Sequence, residues 1–192
     1  MGVRSALLSC MALLIISSVL AYDMDVTRVK EEFGEWRVSF NWSAMSDYSR
    51  SVSHGESESG RTKTSTDTLI MTSAEDASRV VKVSVITYSR DDSGLSGLQA
   101  ISEAANETLK KSGACGSIST SELQVQGRTG ILASGERCPH GGDLYAASFP
   151  VEHHLDGPGG VLGSSAMAVV LSTYDWETTR RLLQSIEFEQ VR

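Results

Sequence analysis

The sequence predicts an α+β fold in which an antiparallel β-sheet is covered by helices on both faces, an α/β/α sandwich. Three observations carry that expectation. Ala166–Leu171 is an unbroken apolar run, which reads as a strand buried on both faces. Such a strand needs a layer on each side, and two stretches have the helical period to supply them. Trp176, Thr179, Leu182, Leu183 and Ile186 share one helical face, and Leu98, Ile101, Ala105 and Leu109 share another. The remaining strand-like segments are joined by short turns, which makes antiparallel pairing natural.

The N-terminus stands apart from this domain. One basic residue, Arg4, precedes an apolar run from Ala6 to Leu20, and Val19-Leu-Ala21 places small residues at the −3 and −1 positions of a cleavage site. Residues 1–21 therefore read as a secretory signal peptide, with residues 22–192 as a single domain. The alternative is an uncleaved signal anchor, although the run is short for a span of about 20 residues. Cys10 follows Leu7-Leu-Ser9, yet it precedes most of the apolar run and so does not fit a lipobox.

Along the domain, Tyr22 to Glu32 is polar and reads as a leader segment, partly helical or frayed. Trp36, Val38, Phe40 and Trp42 alternate with polar residues, the pattern of a strand with one buried face. Ser43 to Ser59 is serine-rich and reads as a loop. Thr62 to Thr72 and Arg79 to Tyr88 read as two strands paired in a hairpin through Ser73-Ala-Glu-Asp76. Asp91-Asp-Ser93 precedes the first helix, Lys110 and Lys111 close it, and Gly113 suits the residue just past its end. A hairpin from Ser117–Gln126 to Ile131–Cys138 follows, with Gly127-Arg-Thr-Gly130 as its turn. Then come a strand at Asp143–Val151, a glycine-rich loop through Gly160, and the two-faced strand. Asp175 sits where an N-cap belongs on the last helix, and Glu177 and Arg181 are spaced for an i,i+4 pair.

Charge and cysteine content narrow the function. Loss of residues 1–21 would leave 16 basic against 24 acidic residues, taking the formal net charge from −7 to −8. An acidic domain without a basic cluster is a poor nucleic-acid binder, because phosphate contacts dominate that affinity. Membrane association is expected only if the N-terminal segment stays uncleaved. Two cysteines, Cys115 and Cys138, would remain. An even pair in an exported chain favours a disulfide, and the hairpin fold-back brings them together.

Candidate chemistry is sparse. His153 and His154, flanked by Glu152 and Asp156, carry metal-ligand residue types in the glycine-rich loop. Adjacent histidines point to different sides of an extended chain, so His153, His154 and Asp156 make a weak metal site, with His140 and Asp143 as conceivable neighbours. Ser96 and Ser164 both neighbour a glycine, but neither lies in a Gly-x-Ser-x-Gly elbow. Gly157-Pro-Gly-Gly160 precedes a strand, not the helix N-terminus that a phosphate cradle uses. No cofactor motif is present. Asn41-Trp-Ser43 and Asn106-Glu-Thr108 match the glycosylation sequon, and Asn106 lies off the apolar stripe of its helix.

Taken in order, the strand Trp36-Arg-Val-Ser-Phe40, the early hairpin, the central amphipathic helix, the Gly127-Arg-Thr-Gly130 hairpin and the final Ser172-Thr-Tyr-Asp-Trp-Glu-Thr178…Leu183-Gln-Ser-Ile186 strand–helix resemble the PsbP-like proteins. That family is named for the extrinsic subunit of the oxygen-evolving complex. The likeness covers about Phe33–Phe188. It implies an α/β/α sandwich around an antiparallel sheet, export in prokaryotic members, and accessory binding or assembly roles instead of catalysis. The residues used by the photosystem subunit have no counterparts here, so a photosynthetic role does not follow.

The resulting expectation is an exported, non-enzymatic binding or accessory module for an envelope or extracellular protein. The competing expectation is an extracytoplasmic metal-dependent or hydrolytic enzyme with its site near His153-His154. The processing step is directly testable: intact-mass analysis of the exported protein should find a chain beginning at Tyr22. Retention of residues 1–21 would instead establish a signal anchor.

Overall fold

The computed structural model describes residues 27–42, 47–59, 62–89, 98–139, 141–151 and 164–191. Among these, ten strands and two helices follow one another as β1 (Thr27–Phe33), β2 (Trp36–Trp42), β3 (Tyr48–Ser59), β4 (Thr62–Ser73), β5 (Val80–Ser89), α1 (Leu98–Lys111), β6 (Ala114–Val125), β7 (Arg128–Arg137), β8 (Asp143–Val151), β9 (Ser164–Ser172), α2 (Trp176–Ser185) and β10 (Glu187–Gln190). A seven-stranded antiparallel sheet has the order β3-β4-β5-β9-β8-β7-β6, and a three-stranded one the order β1-β2-β10.

β9 lies at the centre of the large sheet and is apolar on both faces. Ala166, Ala168 and Val170 enter one core, and Met167, Val169 and Leu171 enter the other. The second core is closed by Ile101, Ala105 and Leu109 of α1, whose contacts fall on β6 to β9. The first core is closed chiefly by the small sheet. Val29 and Phe33 of β1 and Trp36, Val38, Phe40 and Trp42 of β2 are all buried, alternating with outward polar residues as the period-2 pattern requires. Leu182, Leu183 and Ile186 complete that layer from α2.

The fold is therefore mostly β, and the expected sandwich with helices on both faces is wrong. Dimensions explain the failure. Seven strands about 4.8 Å apart span roughly 29 Å, whereas the 10-residue α2 is about 15 Å long. A helix of that length cannot roof the sheet, and β1-β2-β10 covers what it leaves.

Several element boundaries also differ from expectation. Residues 27–32, read as a frayed leader, belong to β1, and 48–59, read as loop, form β3. Both are strands whose outward residues are polar on an edge, so neither shows an apolar run. The β6–β7 turn is Gln126-Gly127, with Val125 opposite Arg128, and not Gly127–Gly130. Both turn residues have positive φ, 51° and 73°, as a two-residue type I′ hairpin demands. Gly130 instead lies inside β7, where a Cβ would come within 2.6 Å of the Ser148 carbonyl oxygen. Leu98 and Trp176, expected in the two apolar stripes, are 49% and 38% exposed at the first position of each helix. The Trp176 ring rests near Tyr145, with centroids 5.5 Å apart.

Other local expectations hold. β4 and β5 form a hairpin. Asp175 caps α2 by accepting from the Thr178 N–H at 2.9 Å, and Arg181 reaches Glu177 at 3.0 Å. Ser172 on β9 and Thr179 on α2, both buried, share a hydrogen bond at 2.7 Å that pins the helix to the sheet. Cys115 and Cys138 are disulfide-bonded, with Cα atoms 5.8 Å apart. Cys115 is half-buried and Cys138 exposed.

Two stability measurements check this architecture. Leu183→Ala opens a cavity in the first core and should cost about 2–5 kcal/mol in urea unfolding, whereas Arg181→Ala, on the exposed face of α2, should cost under about 0.5 kcal/mol. Cys138→Ser, which opens a link between residues 23 apart, should cost about 2–5 kcal/mol by the same assay.

Candidate functional site

Strand periodicity sets the outer face of the small sheet. With Val29, Glu31 and Phe33 turned inward, β1 presents Arg28, Lys30 and Glu32 outward. β2 adds Arg37 and Ser39, and β10 adds Glu187 and Glu189. Glu32 and Glu189 lie opposite Arg37, and Lys30 and Glu187 lie opposite Ser39. Together with Arg50 of β3, these side chains line an open depression of about 630 Å³.

Its charges are interlocked. Arg37 bonds Glu32 at 2.5 Å and Glu189 at 2.8 Å, tying both edge strands to the middle one. These carboxylates, Glu32 first, hold the guanidinium proton more tightly than usual. Arg28 pairs with Glu187 and donates to Ser39 Oγ at 3.0 Å. Lys30 has no ion-pair partner among the described residues.

Two inward carboxylates lie where the small sheet meets β3 and β4. Glu31 is buried, accepts from the Tyr48 hydroxyl at 2.9 Å and pairs with Arg50. Burial, then the Glu31 carboxylate, raises the Tyr48 pKa. Asp67 is 4% exposed and bonds His54 Nδ1 at 2.7 Å, while His54 Nε2 lies 3.3 Å from Glu56 Oε1. Gly34, at the first position of the β1–β2 turn with φ 57°, packs on the Asp67 carboxylate. A Cβ at Gly34 would stand 2.1 Å from the Asp67 carboxyl carbon. Beyond the dyad, Glu56, Glu58, Lys63, Ser65 and Thr87 line a shallow groove of about 360 Å³.

A histidine oriented by a buried carboxylate is half of a nucleophilic apparatus. The other half is missing among the described residues: His54 Nε2 faces a carboxylate, and no hydroxyl or thiol bonds to it. No trio of His, Cys, Asp or Glu among the described residues is arranged to hold a metal ion. His153, His154 and Asp156, together with His140, lie outside the described residues, as do residues 1–26 and the Gly157–Gly160 segment. Asn41 is half-buried at the end of β2, its N–H donating to Ser185 Oγ at 2.9 Å. Asn106 is half-buried on α1 beside Ser102.

The pairing of His54 with Asp67 has no local signature in the sequence because 13 residues separate them and β3 carries no apolar pattern. The signal that could have found them is Asp67 itself: in Asp67-Thr-Leu-Ile-Met71 a charge occupies the same strand face as Leu69 and Met71.

The pair carries a pH signature. Hydrogen bonding to Asp67, then to Glu56, raises the His54 pKa above its usual 6.5. Protonated His54 thus stabilises the fold, fully below pH about 6.5, and that contribution fades as pH rises through the raised pKa. The difference in unfolding free energy between wild type and His54→Gln should shrink across that window. Gly34→Ala, which meets both the positive φ and the Asp67 carboxyl, should cost more than about 1 kcal/mol in the same urea assay.

Comparison of the chain with protein-family models, with curated proteins and with solved structures gives no match.

Proposed function

We propose that this protein is an exported, non-enzymatic binding or accessory module that docks an envelope or extracellular protein on the outer face of its small sheet. The observation that carries the reading is the depression over β1, β2 and β10, with charges of both signs held at fixed positions by Arg37. A mixed-sign, open surface suits another protein surface better than a polyanion, which needs a cationic track. Lys30 is the cation left to meet a partner carboxylate. The Cys115–Cys138 link fits an oxidising, extracytoplasmic setting. No helix among the described residues is long and apolar enough to cross a membrane. Accessory binding is also what the likeness to PsbP-like proteins implies, although the α/β/α sandwich implied by that likeness is not the fold of this chain.

A hydrolytic reading has one observation in its favour, the His54–Asp67 pair. Glu56 at Nε2 argues against it, because that nitrogen would have to serve a nucleophile. The two readings separate in one experiment: affinity capture from the host's envelope fraction with wild-type, Lys30→Glu and His54→Ala chains. The docking reading expects a specific protein recovered with wild type and His54→Ala and depleted about tenfold with Lys30→Glu. Equal recovery by all three removes the small-sheet face from consideration. Turnover of ester or peptide substrates that is lost in His54→Ala would establish the enzyme instead.

A further inference from the structure

We infer that β3 is a self-association edge: two copies of this chain pair their β3 strands antiparallel about Ser53, joining two seven-stranded sheets. β3 ends the strand order of the large sheet and, among the described residues, pairs only with β4. In an antiparallel strand, alternate residues turn their N–H and C=O groups outward, so the free side of β3 is a ready template for another strand.

The other sheet edges carry devices that blunt such pairing. β6 breaks register between Cys115 and Ser119 and is tied down by the disulfide, and β1 and β10 are only 7 and 4 residues long. β3 has none of these. It runs 12 residues in unbroken register with β4 and contains neither proline nor lysine.

The occupant follows from the sequence of the edge, Ser49-Arg-Ser-Val-Ser-His-Gly-Glu-Ser57. Turned antiparallel about Ser53, it sets its one opposite-charge pair in register and opposes no like charges. Ser49 meets Ser57 of the second copy, Arg50 meets Glu56, Ser51 meets Gly55 and Val52 meets His54. A two-fold axis through Ser53 makes each pair occur twice, the isologous arrangement of a symmetric dimer. Arg50 and Glu56 lie on the same strand face, as direct cross-strand partners must. Both remain reachable, with side chains 54% and 78% exposed. Val52, 44% exposed, would gain the imidazole ring as cover. Shifting the axis to His54 would instead set the two imidazoles against each other, which raised histidine protonation disfavours.

This contact uses the edge of the large sheet and shares only Arg50 with the depression, so Glu56→Arg and the cross-link at residue 53, both outside the depression, test it separately from the docking reading. The test is sedimentation equilibrium of the chain as exported and processed by its host, at concentrations up to about 1 mM, because one strand pair is a small interface. A monomer–dimer equilibrium is expected. Glu56→Arg should weaken it at least about tenfold, and adding Arg50→Glu to that variant should restore it. Because Arg50→Glu also disturbs Glu31, a second readout keeps the test independent of that substitution. Under mild oxidation Ser53→Cys should cross-link into a disulfide dimer, since residue 53 faces its own copy, whereas Glu58→Cys should not. A monomer at all concentrations, a dimer indifferent to Glu56→Arg, or equal cross-linking through positions 53 and 58 would each overturn the inference.

Discussion

The structure depends on a single constraint: β9 has no face that can meet water. Its alternate residues Ala166, Ala168 and Val170 and Met167, Val169 and Leu171 require two separate apolar layers. The two layers are built differently. On the α1 side, aliphatic residues of one 14-residue helix suffice over β6 to β9. On the other side, Phe33, Trp36, Phe40 and Trp42 of the small sheet share a core with Ala147, Ala166 and Ala168 of the large one. Large side chains in one layer over small ones in the next let two sheets interdigitate at interior density. Perpendicular ring contacts, such as Trp42 on Tyr174 at 4.8 Å, add to that packing.

Where the aromatic layer ends, polar contacts take over the joint between the sheets. Glu31 from β1 meets Tyr48 and Arg50 of β3, and the β1–β2 turn at Gly34 seats on Asp67 of β4. Buried ionic pairs contribute little net stability, since desolvation offsets the attraction. Their effect is on alignment. A small sheet slid by one residue would bury Arg28 or Lys30 and leave Glu31 without Tyr48, so these contacts penalise the wrong register.

The legible part of the fold was the part where burial is asymmetric along the chain. β2, β5, β8, β9 and both helices announce themselves because their apolar residues recur at period 2 or 3.6, or run unbroken. β1 and β3 do not. Thr27-Arg-Val-Lys-Glu-Glu-Phe33 alternates, but Glu31 occupies an inward position that a periodicity reading expects to be apolar. β3 is held by backbone pairing to β4 and exposes nearly every side chain, so its sequence says only that it is polar. The sandwich expectation failed for the same reason. Once β1 and β10 go unrecognised, a helix is the only layer left to assign. The disulfide was legible because a hairpin turn between two cysteines limits their separation whichever residues form it. The His54–Asp67 pair was not, because it arises from the alignment of two strands and has no local signature.

The middle strand of the small sheet is bordered on one side by its sequence neighbour β1 and on the other by β10, the last strand among the described residues. Glu187 reaches across to Arg28 over 159 residues. β2, with Trp36, Phe40 and Trp42 on one face, therefore precedes in the chain most of the elements that cover it. Contacts of such long sequence separation form slowly, because the intervening chain must be ordered first. Until β9 and α2 are in place, that aromatic face can meet only the apolar residues of β4 and β5 and stays partly open to water. Closure by β10 comes later still: the small sheet acquires its third strand only after α2, which precedes β10 in the chain.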